Sequence, residues 1–287
     1  MTTTVNQIAT MRRILQKEGR QKSLGLVPTM GSLHEGHLSL IEQAAQECDR
    51  VVVSVFVNPL QFGPGEDLDR YPRDLERDVR LAEEAGADWV FAPRVEEMYP
   101  SGIRTTVQVS RLTERLCGAH RPGHFDGVAT VVSKLFHIIQ PDKAYFGLKD
   151  AQQVAVIRQM VDDLNFPVQV IPCPTVREED GLAMSSRNLY LSPKERKLAA
   201  VIPQALDDAT REREAGRLKT PQEAIKRIRD HMETIPELVI EYVDVLSYPE
   251  LEPVPSIENR SVIAAVAVRL GHTRLIDNRI WSKEGRR

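Results

Sequence analysis

Seven consecutive residues, Val51-Val52-Val53-Ser54-Val55-Phe56-Val57, carry one polar side chain among them and form the longest aliphatic run in the chain. Side chains alternate across a strand, so a run that is apolar on both faces has to be covered on both. That demands a parallel sheet flanked by helices rather than a half-solvated antiparallel one. The run is far shorter than the roughly 20 residues that span a bilayer, so it reads as a buried strand and no membrane partner is expected.

Its neighbours follow the same pattern. Leu24 to Pro28 is a short apolar run ending at a glycine-containing turn, and Gly36 to Cys48 has helical spacing at Leu38, Ile41, Ala45 and Cys48. Asp74 to Ala85 is a charged amphipathic helix closed by Gly86, and Ala87 to Ala92 is the next apolar run. A helix over Val128 to Ile139, a strand over Lys143 to Phe146, a helix over Ala151 to Leu164 and an extended segment from Val168 to Val176, interrupted by Pro172 and Pro174, continue the alternation. The spacing predicts an α/β fold over residues 1–178: a Rossmann-like parallel sheet with helices on both faces.

Beyond about residue 180 the texture changes. Ser192-Pro193-Lys194-Glu195 and Thr220-Pro221-Gln222-Glu223 each match a capping box with proline at the first helical position. Leu238 to Leu246 and Ser261 to Arg269 then read as strands. Residues 179–287 are expected to form a smaller C-terminal α+β domain with a short antiparallel sheet, joined near Arg177 to Asn188 and closing over the active site.

Composition limits the partners. Lys and Arg number 38 against 41 Asp and Glu, a formal charge of −3, so no overall basic field favours nucleic acid, and any anion must be held by a local cluster. Three widely spaced cysteines, Cys48, Cys117 and Cys173, suit neither a disulfide framework nor a zinc site. With an N-terminus lacking the apolar core of a secretory signal, they point to reduced thiols in a cytoplasmic protein.

The first strand-to-helix turn runs Met30-Gly31-Ser32-Leu33-His34-Glu35-Gly36-His37. Its two glycines imitate a Gly-x4-Gly-Lys phosphate loop, but His37 stands in place of the lysine and Leu38 in place of the magnesium-binding hydroxyl. The turn is still expected to offer free backbone N–H groups and a positive helix end to an anion. His34 and His37, three apart, would share a face as donors; capping or core histidines are the plainer reading, and zinc has no third ligand nearby. Gly147-Leu148-Lys149-Asp150-Ala151-Gln152-Gln153 offers close backbone approach, a cation, a ribose acceptor and amides for a polar substrate, or merely an ordinary helix start. Gly181 to Asn188 combines Ser185, Ser186 and Arg187 in what is either a loop over a triphosphate or a surface turn. Asn58 to Gly65, and Arg121 to Phe125 with two more potential cations in Arg121 and His124, complete five polar segments that follow strands or flank the junction.

Together, Met30 to His37, Val57-Asn58-Pro59-Leu60-Gln61-Phe62, Gly147 to Gln153 and Met184-Ser185-Ser186-Arg187-Asn188 closely resemble the pantoate–β-alanine ligase family. That family lies in the nucleotidyltransferase superfamily, which shares its His-x-x-His signature with class I aminoacyl-tRNA synthetases. The match runs from about Leu26 to Leu191 and weakens beyond; Leu148 departs from it, standing where many relatives carry Glu. The resemblance implies ATP as co-substrate with Mg2+ on its β- and γ-phosphates, pantoate and β-alanine as substrates, and a homodimer. Pantoate would attack the α-phosphorus to give pantoyl adenylate and pyrophosphate, and the β-alanine amine would then displace AMP. His34, His37, Lys149, Ser185, Ser186 and Arg187 would supply donors to the phosphates, with His37 as proton donor. Met30, Gly31, Ser32, Leu33, Glu35, Gly36, Leu148 and Met184 would line the nucleotide; Gly147 and Asp150 would hold the ribose, and Val176 the adenine by its backbone. Gln61 and Gln153 would orient pantoate, Gln61 also lying near β-alanine, with Asn58, Arg121 and His124 in support. AMP transfer to a phosphorylated acceptor, or a nucleotide-binding module without turnover, are the alternatives; the two glutamines argue against the first.

Overall fold

A computed structural model describes residues 2–19 and 21–283. Its contacts divide the chain into two compact units: Met1–Ser110, Arg121–Leu148 and Val156–Pro174 form the first, and Arg111–His120, Lys149–Ala155 and Thr175–Arg287 the second. The second unit thus holds two short pieces, Arg111–His120 and Lys149–Ala155, that lie within residues 1–178.

In the first unit, strands β1 (Thr3–Val5), β2 (Leu24–Thr29), β3 (Arg50–Val55), β4 (Trp89–Phe91), β5 (Lys143–Gly147) and β6 (Gln169–Cys173) form one sheet in the order β1-β4-β3-β2-β5-β6. Every neighbouring pair is parallel. The helices are α1 (Ile8–Glu18), α2 (Glu35–Glu47), α3 (Leu75–Glu84), the short α4 (Val95–Met98) and, after α5 (Cys117–His120) of the second unit, α6 (His124–Ile139) and α7 (Ala151–Leu164), whose first residues, Ala151–Ala155, also fall in the second unit. Val27, Val51, Val53 and Val90 pack with Leu40, Ile41 and Ala44 of α2 and Ala82 of α3 on one face. Leu26, Val52 and Phe91, which alternate with them, are equally buried, and α6 packs against β2. Each fully buried valine of β3 contributes about 1.5 kcal/mol or more, so this apolar strand is a main source of the sheet's stability.

Two features place a site. The chain runs outward from β2 to β3 and β4, then returns to lay β5 on the other side of β2, so the strand order reverses there; ligands of open α/β sheets bind at such a point. The ladder opens at the same place. β2 stays paired to β3 through Thr29, whereas it meets β5 only at Gly25 and Leu26, so β2 and β5 part toward their C-terminal ends. Pro172 sits in edge strand β6, where a missing N–H is tolerated.

The second unit holds an antiparallel sheet of β7 (Leu238–Ser247), β8 (Val262–Leu270) and β9 (Thr273–Trp281). Its core joins Val243, Val245, Val262, Val266 and Trp281 to Ile202, Leu206, Ile228 and Met232. Those last four lie on α9 (Val201–Glu214) and α10 (Pro221–Met232), which follow the short α8 (Pro193–Leu198). Both expected capping boxes are formed, Ser192 with Glu195 and Thr220 with Glu223. The sequence reading did not anticipate β1, α1 or β9, and it began α6 four residues late because Gly123, left-handed at φ 80°, starts the helix at His124. Among the described residues no helix is long and apolar enough to cross a membrane.

Candidate active site

The turn after β2 is built from two consecutive left-handed residues, Gly31 at φ 81° and Ser32 at φ 53°. Such a backbone persists only if its surroundings over-determine it. Thr29 Oγ1 donates to the Ser54 carbonyl at 2.7 Å and accepts from Gly31 N–H at 3.1 Å. Asp78 of α3, 1% exposed, accepts from Ser32 N–H at 2.9 Å through one oxygen and from Leu33 N–H at 2.7 Å through the other. Arg77 beside it donates to the Leu33 carbonyl. Burial pushes the Asp78 carboxyl up from its ordinary value, against the two N–H bonds that hold it down. A Cβ on Gly31 would lie 2.8 Å from Asp78 Oδ2 and 3.0 Å from Val55, so only glycine fits.

This geometry corrects the expectation of free backbone N–H groups. Those of Gly31, Ser32 and Leu33 are taken by Thr29 and Asp78, that of Gly36 by His34 Nδ1, and that of His37 by the His34 carbonyl. Those five N–H groups are therefore already engaged, and the side chains the turn presents include two imidazoles. His34 caps α2, and because its Nδ1 accepts the Gly36 N–H, its proton resides on Nε2. The His34 and His37 rings lie 4.0 Å apart between centroids, 36° from parallel, so the two donors share one face as the spacing predicts.

Next to it, after β3, Asn58 is 1% exposed and caps the turn Pro59–Gln61. Its Nδ2 donates to the Gly127 carbonyl at 3.0 Å and to Gln61 Oε1 at 3.3 Å, and its Oδ1 accepts from the Tyr99 hydroxyl at 2.9 Å. Gln61 in turn donates to Met30 Sδ at 2.9 Å, joining this turn to the one after β2. Gly127 of α6 makes the approach possible: a Cβ there would lie 2.4 Å from the Leu60 carbonyl oxygen.

Arg121 and His124 do not act here as loose cations. Arg121 forms a fork with Glu66 at 2.7 and 2.5 Å and donates to the Gln61 carbonyl at 3.2 Å. It also donates to His124 Nε2 at 3.0 Å, which leaves the His124 proton on Nδ1, 2.8 Å from the same Gln61 carbonyl. Both brace the Gln61 backbone, and in this tautomer His124 is neutral. At the end of β5, a Cβ on Gly147 would meet no atom within 4 Å, so the backbone there borders open space.

The second unit gathers the remaining expected residues. Lys149 Nζ lies 3.7 Å from Asp150 Oδ2, and Asn278 Nδ2 holds the Lys149 carbonyl at 3.0 Å. Val176 and Met184 close a hairpin: Met184 N–H donates to the Val176 carbonyl, which is therefore already engaged. Ser185 caps the turn Ser186–Tyr190 by accepting from Arg187 N–H, and Ser186 is buried. Asn188 donates to Glu178 and to the Ala183 carbonyl, while Arg196 grips Glu178 and Asp180, and that guanidinium holds the Asp180 carboxyl below its ordinary value. Gln152 is not a substrate amide. It is buried, accepts from Cys117 N–H and donates to the carbonyls of Leu112 and Arg115, which ties Arg111–His120 into this unit; Gln153 beside it is half-buried.

Asp78, Thr29, Tyr99, Glu66 and Gly127 escaped the sequence reading. One signal was present for Asp78: it stands four residues before Ala82, on the buried face of an otherwise charged helix.

Comparison with known proteins decides the kinship. The family model described as pantoate-beta-alanine ligase matches residues 3–280. The chain belongs to the pantoate-beta-alanine ligase family. The ligase is 53% identical to pantothenate synthetase of Thermoanaerobacter pseudethanolicus over 97% of this chain and 98% of that one, and 55% identical to that of Acetivibrio thermocellus, covering 96% of each. Among solved structures it resembles pantothenate synthetase from Thermus thermophilus, with a TM-score of 0.91 at 50% identity over 97% of this chain and 99% of that one. Pantoate-beta-alanine ligase from Francisella tularensis, complexed with beta-gamma ATP and beta-alanine, gives a TM-score of 0.81 at 32% identity, covering 98% of each. The likeness to the Thermus structure spans both units of the ligase, including the C-terminal part where the motif resemblance is weakest.

Proposed function

We propose that this ligase joins pantoate to β-alanine at the expense of ATP, through pantoyl adenylate. The carrying observation is the His34–His37 pair, set face to face at the C-terminal end of β2 where the sheet parts. A carboxylate does not condense with an amine in water because its oxygen is a poor leaving group. Attack of the pantoate carboxylate on the α-phosphorus forms a new P–O bond, expels pyrophosphate and leaves AMP as a good leaving group. The β-alanine amine then attacks the carbonyl, loses a proton and releases AMP. An anion attacks a polyanion in the first step, so fixed donors must receive the charge gathering on the phosphates.

His34 and His37 supply such donors, His34 through Nε2–H, with His37 as proton donor to the departing phosphate; Lys149, Ser185, Ser186 and Arg187 supply the rest. Met30, Gly31, Ser32, Leu33, Glu35, Gly36, Leu148 and Met184 line the nucleotide, Gly147 and Asp150 hold the ribose, and Val176 meets the adenine. Open space over Gly147 supports the close approach. Gln61 and Gln153 orient pantoate. The Francisella relative's complex with beta-gamma ATP and beta-alanine supports the choice of co-substrates. ATP would enter with Mg2+, as the family resemblance implies, and the ion would offset part of the triphosphate's charge. The family resemblance supports a homodimer, measurable by light scattering, and three free thiols support a cytoplasmic setting.

Mixing the protein with ATP and pantoate, without β-alanine, tests the reading: mass spectrometry detects pantoyl adenylate, and pyrophosphate appears. Equal ATP consumption with pantoate omitted rejects it.

A further inference from the structure

We propose that Asp78 is a positioning residue for the His34–His37 pair, its carboxylate filling the N–H nest of the turn after β2 in place of an anionic ligand. The inference rests on the catalytic reading of the two imidazoles given above. Successive backbone N–H groups in a left-handed turn form a concavity that binds anions, and in a phosphate loop that anion is the nucleotide. Here Gly31 and Ser32 have the left-handed backbone, but both carboxylate oxygens of Asp78 occupy the concavity, one on Ser32 N–H and one on Leu33 N–H. The residue is 1% exposed and reaches the turn from α3, more than forty positions away in sequence, so the contact is tertiary and not a local cap.

The consequence falls on the next residue. Leu33 leads directly into His34, whose backbone is extended and whose Nδ1 caps α2. Leu33 N–H donates to one Asp78 oxygen and the Leu33 carbonyl accepts from Arg77, so both peptide planes of Leu33 are fixed, while Ser32 N–H on the other Asp78 oxygen fixes the plane before them. With those planes fixed, the direction in which the chain enters the helix is fixed, and so is the aim of the imidazoles. Asp78 acts through the Ser32–Leu33 backbone.

Asp78→Ala is the test, measured beside His34→Ala and His37→Ala in pantothenate formation. We expect kcat to fall roughly 100-fold, the scale of a 1 Å misplacement of catalytic groups, while KM for ATP and for pantoate stays within about threefold, the pattern of lost transition-state contacts. Formate, an anion of the deleted group's size, should restore at least about tenfold of the lost kcat when added to Asp78→Ala, and chloride should not, because only a planar carboxylate bridges the two N–H donors. A kcat within twofold of wild type for Asp78→Ala, alongside a large loss for His37→Ala, overturns the proposal and leaves the catalytic reading standing. Unimpaired His34→Ala and His37→Ala reject that reading itself. Should Asp78→Ala fail to fold, the isosteric Asp78→Asn decides: its amide offers one acceptor to two donors, so an unchanged kcat in that variant overturns the proposal and a lowered one with unchanged KM upholds it.

Discussion

Tyr99 donates its hydroxyl hydrogen to Asn58 Oδ1 at 2.9 Å, beneath the turn that carries Gln61. The same oxygen accepts from Leu60 N–H, and the other end of the amide holds Gln61 Oε1, so the phenol orients the carboxamide that orients the glutamine. Burial pushes the Tyr99 hydroxyl up to about 12, so it stays protonated and keeps donating across the working range. Tyr99→Phe removes one neutral hydrogen bond, about 1 kcal/mol. The expected result is a KM for pantoate raised by about fivefold, with KM for ATP unchanged, in steady-state kinetics; equal KM values in the two proteins would detach Tyr99 from Gln61.

Gly127→Ala drives a methyl group to 2.4 Å from the Leu60 carbonyl oxygen and 2.7 Å from Gln61 N. Neither α6 nor the turn can absorb this without a backbone shift, and overpacking of this kind costs about 1–3 kcal/mol. Denaturant unfolding should show that loss with an unchanged m-value. A variant as stable as wild type would mean that the turn yields freely.

The Arg121–Glu66 fork gives a pH dependence with a definite sign. Burial raises the Glu66 carboxyl, but the hydrogen bond and charge of Arg121 outweigh it, and the net position lies below the ordinary 4.5. A carboxylate whose folded pKa is depressed stabilises the fold above its unfolded value, and that stabilisation is lost as pH falls through the folded one. Glu66→Gln should therefore be less stable than wild type at pH 7, by about 1.5–3 kcal/mol for a hydrogen bond to a charged group. The two unfolding curves should converge as pH drops below 4.5. A gap that persists in acid would assign the difference to packing instead of charge.

Lys149→Ala should slow single-turnover formation of the adenylate by about 2–4 kcal/mol of transition-state stabilisation, the cost of one preorganised donor. Its backbone carbonyl, held by Asn278, is retained in the variant, so the fold around it should persist by circular dichroism. An unaltered rate would remove Lys149 from the phosphate site.

Local signals were legible and distant ones were not. The capping boxes at Ser192 and Thr220 formed as written because both partners lie within one turn, three residues apart. The His34–His37 face was readable from helical spacing for the same reason. What Asp78 does could not be read that way, since Ser32 and Leu33 are brought to it only by packing α3 beside β3. β9 escaped because Arg274, Asp277, Asn278 and Arg279 break its apolar alternation; the structure gives several of these charges partners, Asp277 with Arg177 and Arg274 with Glu241. A sequence shows which N–H groups a turn has, but not which acceptor from elsewhere has already taken them, as Asp78 has taken those of Ser32 and Leu33.

The clamp between Gln152 and the Arg111–His120 segment has a bearing on synthesis. Within that unit Cys117 Sγ lies 3.2 Å from the Tyr242 hydroxyl and 3.7 Å from the Arg274 guanidinium, separations of 125 and 157 residues along the chain. At roughly 5–20 residues per second on the ribosome, the nascent segment waits on the order of 6 to 30 s for partners that have yet to be translated. During that interval Leu112, Leu116 and Cys117, buried in the finished fold, are without their final cover.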